Sequence, residues 1–381
     1  MALIKETERY ILASFEELKT LIRDLCRIPA PSLHEEDRAR FCKEWFERNG
    51  FESVEIDEAL NVTCPYRDAP DRDLIVFTAH TDTVFPDTQP MPFSEQDGIM
   101  RCPGVTDDTA NLAVLMICAR YIVQRRLPTK TGILFVANSG EEGLGNLKGS
   151  RAIIRRYGSR IKAFVALDGF NLTDIVARAV GSRRFRIRAA TEGGHSFRDF
   201  GKRNAIAVLA EMVSRLYRVE VPKNHHSQTT YNVGTISGGT SVNTIAQNAE
   251  LLYEIRSDDQ SCLMRMQTVF DEITAACTPK DGVLTAELIG ERPCAGAVDE
   301  RALAKLRECS AAAVLEVTGR ACRLTSGSTD CNIPLSEGIP AVCLGVCDGG
   351  GCHTREEWLN TDSLPDGCRL FMTFFRSYCM E

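Results

Sequence analysis

The sequence predicts an α/β fold: a larger domain whose mixed, largely parallel sheet is sandwiched by helices, with a smaller α+β domain of ferredoxin-like order inserted into it. Three observations predict it. The segments "DLIVFTAH", "TGILFVAN" and "KAFVALDG" are short β-rich apolar runs bounded by polar residues or Gly, and the first two flank a helical pattern from about Thr109 to Gln124, the rhythm of a parallel sheet. From about Gly181 the texture changes to strands and helices in the order β-α-β-β-α-β, that of a small ferredoxin-like sandwich. The length, 381 residues, exceeds one ordinary core, so two domains are expected. Residues 1–180 and 291–381 then form the larger, discontinuous domain and residues 181–290 the inserted one.

The elements follow in order. "MALIKETERYILASFEELKTLIRDL" sets apolar residues at helical spacing among alternating charges and reads as a first helix, without the unbroken apolar core or small-residue cleavage site of a signal. "RIPAPSLHEEDRARFCKEWFERNGF" turns at its prolines, then forms an amphipathic helix ending near Gly50, and a strand follows. His34 sits where that helix begins and needs no chemical role. In the insert, "RRFRIRAAT" alternates as a half-exposed strand does, and "NAIAVLAEMVSRLYRV" is a helix. "TTYNVGTISGG" and "NAELLYEIRS" are two more strands, then come a helix from about Met264 to Cys277 and the strand "VLTAELIGE". The chain returns to helix, the strand "IPAVCLGV" and a final helix of α/β type. No internal repeat or low-complexity tract interrupts it.

Composition narrows the function. Hydrophobic residues make 44% and charged residues 25%, with a formal net charge of −7, against the broad basic surface that nucleic-acid binding needs. No run approaches the roughly 18 apolar residues of a membrane span. A soluble, cytoplasmic protein with a small substrate is the expectation. Sixteen cysteines lie in apolar contexts such as "AVLMICARY" and "AVCLGVC", without disulfide-scaffold spacing and without a CxxC pair. They read as buried free thiols, and a cysteine-built zinc site is not expected.

The acids and histidines gather at strand ends. "FTAHTDTVF" puts His80 and Asp82 two residues apart on one face, "GVTDDTAN" puts Asp107 and Asp108 at a helix start, "ANSGEEGLG" puts Glu141 and Glu142 after a strand, and "ALDGF" puts Asp168 after another. Downstream, "GGGCHTREEW" supplies His353. Ligands of open α/β sheets bind at the carboxyl ends of strands. Imidazole with carboxylate suits zinc or a related divalent ion, and His80, Asp107, Glu142, Asp168 and His353 would serve two such ions if one carboxylate bridged them. Singly, each motif has a plainer reading: a helix cap for Asp107 or Asp108, solvated surface for the glutamates, a turn residue for Asp168. Their convergence on one edge weighs against it.

The set "HTD", "GVTDDTANLAVL", "ANSGEEGLGNLKGS", "ALDG", "GGHSF" and "GGGCHTREEW", in this order over nearly the whole chain, resembles the co-catalytic zinc peptidase and deacylase superfamily. Its members include peptidase T, carboxypeptidase G, acetylornithine deacetylase and succinyl-diaminopimelate desuccinylase, and the tail is most like the peptidase-T side. The resemblance implies an amide hydrolase holding two divalent metal ions, zinc with cobalt or manganese as alternatives. His80 and Asp168 would ligate one ion, His353 and Glu142 the other, and Asp107 would bridge. Glu141 would be the general base, and Asp82 would orient the His80 imidazole. A cis Asp107–Asp108 peptide is implied, as is an inserted domain that acts as a lid and pairs in a homodimer.

For substrate the resemblance implies His195 as an oxyanion donor, Asn243 as a contact, Arg256 as a carboxylate clamp with a strand-surface ion pair as its alternative, and Ser328, Asp330 and Asn332 as pocket lining. The chain departs from the superfamily's usual pattern where Thr109, Ala110 and Asn111 follow the paired aspartates, in place of Lys-x-Gly, and at Phe197 in "GGHSFRDFG". Those departures bear on substrate. Three readings compete: an aminopeptidase on di- or tripeptides, an N-acyl-amino-acid deacylase, and a non-catalytic homologue, whose mark would be a lost ligand or base. His225 and His226 read as loop surface, and Glu356 and Glu357 as part of the turn or helix after His353.

Overall fold

The computed structural model describes residues 2–224 and 227–380, so His225 and His226 lie outside the described residues. It divides into two compact units, one of residues 1–179 and 296–381 and one of Val180–Ala295.

In the first unit an eight-stranded sheet runs in the order Glu55–Ile56, Val62–Tyr66, Gly132–Asn138, Leu74–His80, Ile161–Leu167, Ala341–Leu344, Asp174–Ala179, Arg323–Gly327. Its centre is parallel: Leu74–His80 pairs in parallel with both Gly132–Asn138 and Ile161–Leu167, and Ile161–Leu167 with Ala341–Leu344. Such strands read as nearly continuous apolar runs because both faces are covered. One face sends Ile75, Phe77, Ile133, Phe135 and Val165 toward the helices Asn111–Gln124 and Leu364–Cys379; the other sends Val76, Leu134, Val136 and Phe164 into a second cluster with Ile153 and Leu335. This is the predicted α/β class, with its mixed, mostly parallel sheet between helices.

The sequence expectation differs from the structure in two places. The N-terminal run is two helices, Ala2–Ala13 and Phe15–Cys26, because the chain bends at Ser14, whose amide is shared between the carbonyls of Tyr10 and Ile11. A small antiparallel sheet of three-residue strands, in the order Asp348–Gly350, Trp358–Asn360, Ile99–Arg101, Ser94–Gln96, was not legible. It ties the segment leading to Asp107 to the segment holding His353. Gly349 permits the approach, since a Cβ there would lie 2.2 Å from Thr106 Cγ2.

The second unit is a four-stranded antiparallel sheet in the order Thr229–Gly238, Asn248–Ser257, Gly181–Thr191, Gly282–Arg292, with helices Ala205–Leu216 and Gln260–Cys277. The alternation of Phe185, Ile187 and Ala189 with Leu251, Tyr253 and Ile255 buries one face against Leu209, Met212, Met266 and Phe270 of those helices. All sixteen cysteines are unpaired, and thirteen are buried. Among the described residues no helix is long and apolar enough to cross a membrane.

The larger core has an aromatic centre. Phe77 stacks on Phe135 at 6.0 Å between ring centroids and meets Phe371 edge-on at 5.1 Å, with Phe374 and Phe375 at 6.1 Å. Phe77→Ala should therefore cost about 3–5 kcal/mol, read as a lowered denaturant midpoint of the first unit.

Candidate metal centre

The parallel register places the predicted ligands at one edge. His80 is the last residue of its strand and pairs with Asn138, three residues before Glu141, while Asp168 follows the neighbouring strand. Asp107 comes from an irregular turn, Val105–Ala110, just before the helix Asn111–Gln124, and the Asp107–Asp108 peptide is cis. His353 comes from the loop between the two short strands of the small sheet.

Asp107 stands between the two imidazoles. Its Oδ1 is 3.0 Å from His80 Nε2 and its Oδ2 is 3.1 Å from His353 Nε2, which also lies 3.0 Å from Glu142 Oε1. Two sets of donor atoms each fall within 4.8 Å of one another, His80 with Glu141 and Asp168, and His80 with Asp107 and Glu142. Four carboxylates and two imidazoles thus share one place, and all but His353 are largely buried.

A cation fits this donor set. His80 Nδ1 donates to the Asp82 carbonyl oxygen at 3.0 Å, so the neutral ring turns the Nε2 lone pair toward Asp107 Oδ1, acceptor against acceptor. Only a proton or a metal ion between them makes that contact favourable. The charges say the same. Burial pushes the Asp168 carboxyl up to about 7, with the charge of Asp107 adding to it. Hydrogen bonds to Asp107 and Glu142 raise His353 to about 10. Burial opposes ionisation of Asp107, but His353 and His80 outweigh it and hold that carboxyl well below the usual range.

Residues 76–377 match the model of peptidase family M20/M25/M40. The chain belongs to this family of metallopeptidases. The uncharacterized protein YqjE of Bacillus subtilis is 24% identical over 359 residues, 90% of this chain and 92% of that protein. A probable carboxypeptidase of Aspergillus clavatus is 24% identical over 255 residues, and the match spans only 60% of that relative's length. Among solved structures, a tripeptidase from Staphylococcus aureus aligns with a TM-score of 0.74 at 22% identity, over 95% of this chain and 98% of that one. Aminopeptidase PepT from Bacillus cereus aligns at 0.71 and 23%, over 94% and 97%. At these identities the structures speak for the fold, which is the M20 one.

Asp82 does more than face an imidazole. Its carboxylate accepts from the backbone amides of Glu141 at 3.0 Å and Glu142 at 2.9 Å and from Ser32 Oγ at 2.7 Å, while its carbonyl orients His80. One residue therefore sets both the imidazole and the glutamate turn. Burial alone would raise its carboxyl, but His80, Ser32 and the Glu142 amide keep it below its ordinary value.

Other predicted residues lie outside these two donor sets. Where the sequence suggests pocket lining, Asp330 and Asn332 are interior: Asp330 accepts from Ser150 Oγ and Asn138 Nδ2, both at 2.5 Å, and Asn332 Oδ1 accepts from the Thr329 amide at 2.9 Å. Ser328 is half-buried. In the second unit the Arg256 guanidinium forms the strand-surface ion pair, Nε to Glu254 Oε1 at 2.7 Å and Nη2 to Oε2 at 3.0 Å. His195 and Asn243 are neighbours there. Gly194–His195 pairs with Thr244–Ile245, and the Ser196 amide donates to the Asn243 carbonyl at 3.0 Å.

Sequence reasoning missed Glu357. It is fully buried, unlike the exposed Glu356, and accepts from the amides of Gly104 at 2.7 Å, Thr106 at 2.8 Å and Asp107 at 2.9 Å, and from Thr106 Oγ1 at 2.6 Å. One carboxylate from the His353 segment thus fixes the backbone of the Asp107 turn. Its only sequence signal is its place one residue before Trp358, the opening of a short strand. Glu357→Ala would orphan three buried amides at ~1–3 kcal/mol each. The expected result is a lower denaturation midpoint and about tenfold weaker retention of divalent metal on dialysis, whereas Glu356→Ala should change neither.

Proposed function

We propose that the chain is a two-metal aminopeptidase acting on di- and tripeptides. The observation that carries the reading is Asp107 set between His80 and His353, one carboxylate oxygen to each ring nitrogen. His80 and Asp168 would hold one ion, His353 and Glu142 the other, and Asp107 would be shared. Zinc suits the set, with cobalt or manganese as substitutes. Two such ions supply Lewis acidity toward a carbonyl and a lowered pKa for water.

The residues of the chain do the rest. Glu141 takes the proton of the attacking water and returns it to the leaving amine. Glu142 is committed to His353 and to the second ion, and so is the poorer base of the pair. Asp82 keeps both glutamates and His80 in register. In the second unit, the Nδ1 atom of His195 accepts from the amides of Phe197 at 3.2 Å and Arg198 at 3.4 Å, so its Nε2 bears the proton and can donate to a developing oxyanion. Asn243, its neighbour, would assist, and Arg256 would exchange Glu254 for a substrate carboxylate.

The second unit would also carry a homodimer, which its exposed Phe197, Phe200 and Val242 and its edge strand Thr229–Gly238 support. Sixteen unpaired cysteines suit a reducing cytoplasm. The solved tripeptidase and aminopeptidase folds favour free peptides; an N-acyl-amino-acid deacylase would use the same centre.

Three measurements test this. Glu141→Gln should lose turnover by about 10²–10⁴-fold while keeping both metals, and a variant with full activity rejects the base. Glu142→Ala should lower metal occupancy. Dialysis against a chelator should abolish activity, with zinc or cobalt restoring it on free tripeptides; cleavage confined to N-acylated amino acids would replace the peptidase reading with the deacylase one.

A further inference from the structure

Asn111 opens the helix Asn111–Gln124, its side chain is fully inaccessible, and it is no candidate ligand, yet it touches the backbone on three sides of the centre. Its Nδ2 donates to Asp108 Oδ1 at 2.7 Å, to the Thr106 carbonyl at 3.1 Å and to the Gly169 carbonyl at 3.1 Å. Its Oδ1 accepts from the Val346 amide at 3.0 Å and lies 3.8 Å from Cys347 Sγ. The buried Asp108 that it grips accepts the His80 amide at 2.7 Å through its other oxygen. Thr106 and Asp108 flank Asp107, Gly169 follows Asp168, and Val346 lies just beyond the strand Ala341–Leu344.

We propose that Asn111 is a positioning residue: one buried amide sets the spacing between the His80 end, the Asp107 turn and the Asp168 end. Asp107 and Asp168 repel each other, and burial keeps water from screening them, so the loops bearing them would separate wherever the backbone let them. The amide opposes this from behind. It draws the Thr106 and Gly169 carbonyls toward one nitrogen and anchors that nitrogen's partner oxygen on Val346. The two N–H bonds are divided among three acceptors, so each donor is committed, and an isosteric carboxylate at this place would meet Asp108 and two carbonyls with no proton to give. Asn111 is, with Thr109 and Ala110, where the sequence departs from the usual pattern of the superfamily it resembles.

The inference rests on the two-metal reading above, and the test separates them. Metal-free wild type, Asn111→Asp and Asn111→Gly are titrated with cobalt(II), followed by visible absorption, and each metal-free protein is checked for folding by circular dichroism. Wild type should bind two ions. If it binds none, the two-metal reading falls and the inference with it. A folded variant should bind at least one ion about tenfold or more weakly, with an altered absorption band. A folded variant with the wild-type titration and spectrum overturns the role of Asn111 and leaves the two-metal reading standing.

Should neither variant fold, hydrogen exchange on wild type decides. Cobalt loading should slow exchange of the Val346 amide, which belongs to no candidate ligand and is held by Asn111. Unchanged exchange there overturns the inference.

Discussion

Everything at this centre depends on one contact that needs a cation: a buried imidazole nitrogen facing a carboxylate oxygen at 3.0 Å, both of them acceptors while the ring is neutral. Such a pair persists in a fold only if the surrounding structure is more rigid than the repulsion is strong, or if a cation resolves it. The surroundings of Asp107 are built for the first and chemically matched to the second. Glu357 takes three amides of its turn, Asn111 takes the carbonyl before it, and Asp108 takes the His80 amide. A site whose donors are held in place before the ion arrives loses little to reorganisation when charge develops on a substrate.

The parallel sheet supplies the coarse placement and buried polar side chains supply the fine one. Strand register alone delivers His80, the glutamate turn and Asp168 to one edge, because adjacent parallel strands end level with one another. Register cannot aim a carboxylate. Asp82 does that for the glutamates by accepting both of their amides, and Lys148 steadies the same loop by pairing with the buried Glu35 at 2.8 Å. Arg38, also buried, donates to the Thr81 carbonyl at 2.8 Å and to those of Leu25 and Ile28, pinning the segment between His80 and Asp82 to the N-terminal helices.

What was legible in the sequence follows from this split. The strands, and the acids and histidines gathered at their ends, could be read because apolar periodicity marks a strand, and the residue at its end then has only one edge to occupy. The β-α-β-β-α-β order of the second unit was legible for the same reason. Glu357 and Asn111 were not. Their partners are about 250 residues away in one case and on three separate segments in the other, and neither a lone acid in "TREEW" nor a single amide opening an apolar helix carries a local mark of such partners. The small sheet that joins their loops was hidden as well, since strands of three residues leave no period to detect. Asp330 and Asn332 differ from them: a Ser/Asp/Asn-rich segment looks exposed, but here the neighbouring Ser150 and Asn138 satisfy the aspartate inside the fold.

The paired glutamates show how fine placement becomes a division of roles. Both amides rest on Asp82, so the two side chains leave one clamped turn in different directions, Glu142 to within 3.0 Å of His353 and Glu141 into reach of His80 and Asp168. A carboxylate already engaged by an imidazole, and by an ion beyond it, has its basic lone pairs partly committed. Its neighbour is held a fixed step away by the same backbone. Because a single clamp sets both, moving Asp82 would displace the two glutamates together, whereas replacing either glutamate leaves the other in place. The proposed division, the proton to Glu141 and the metal to Glu142, follows that asymmetry.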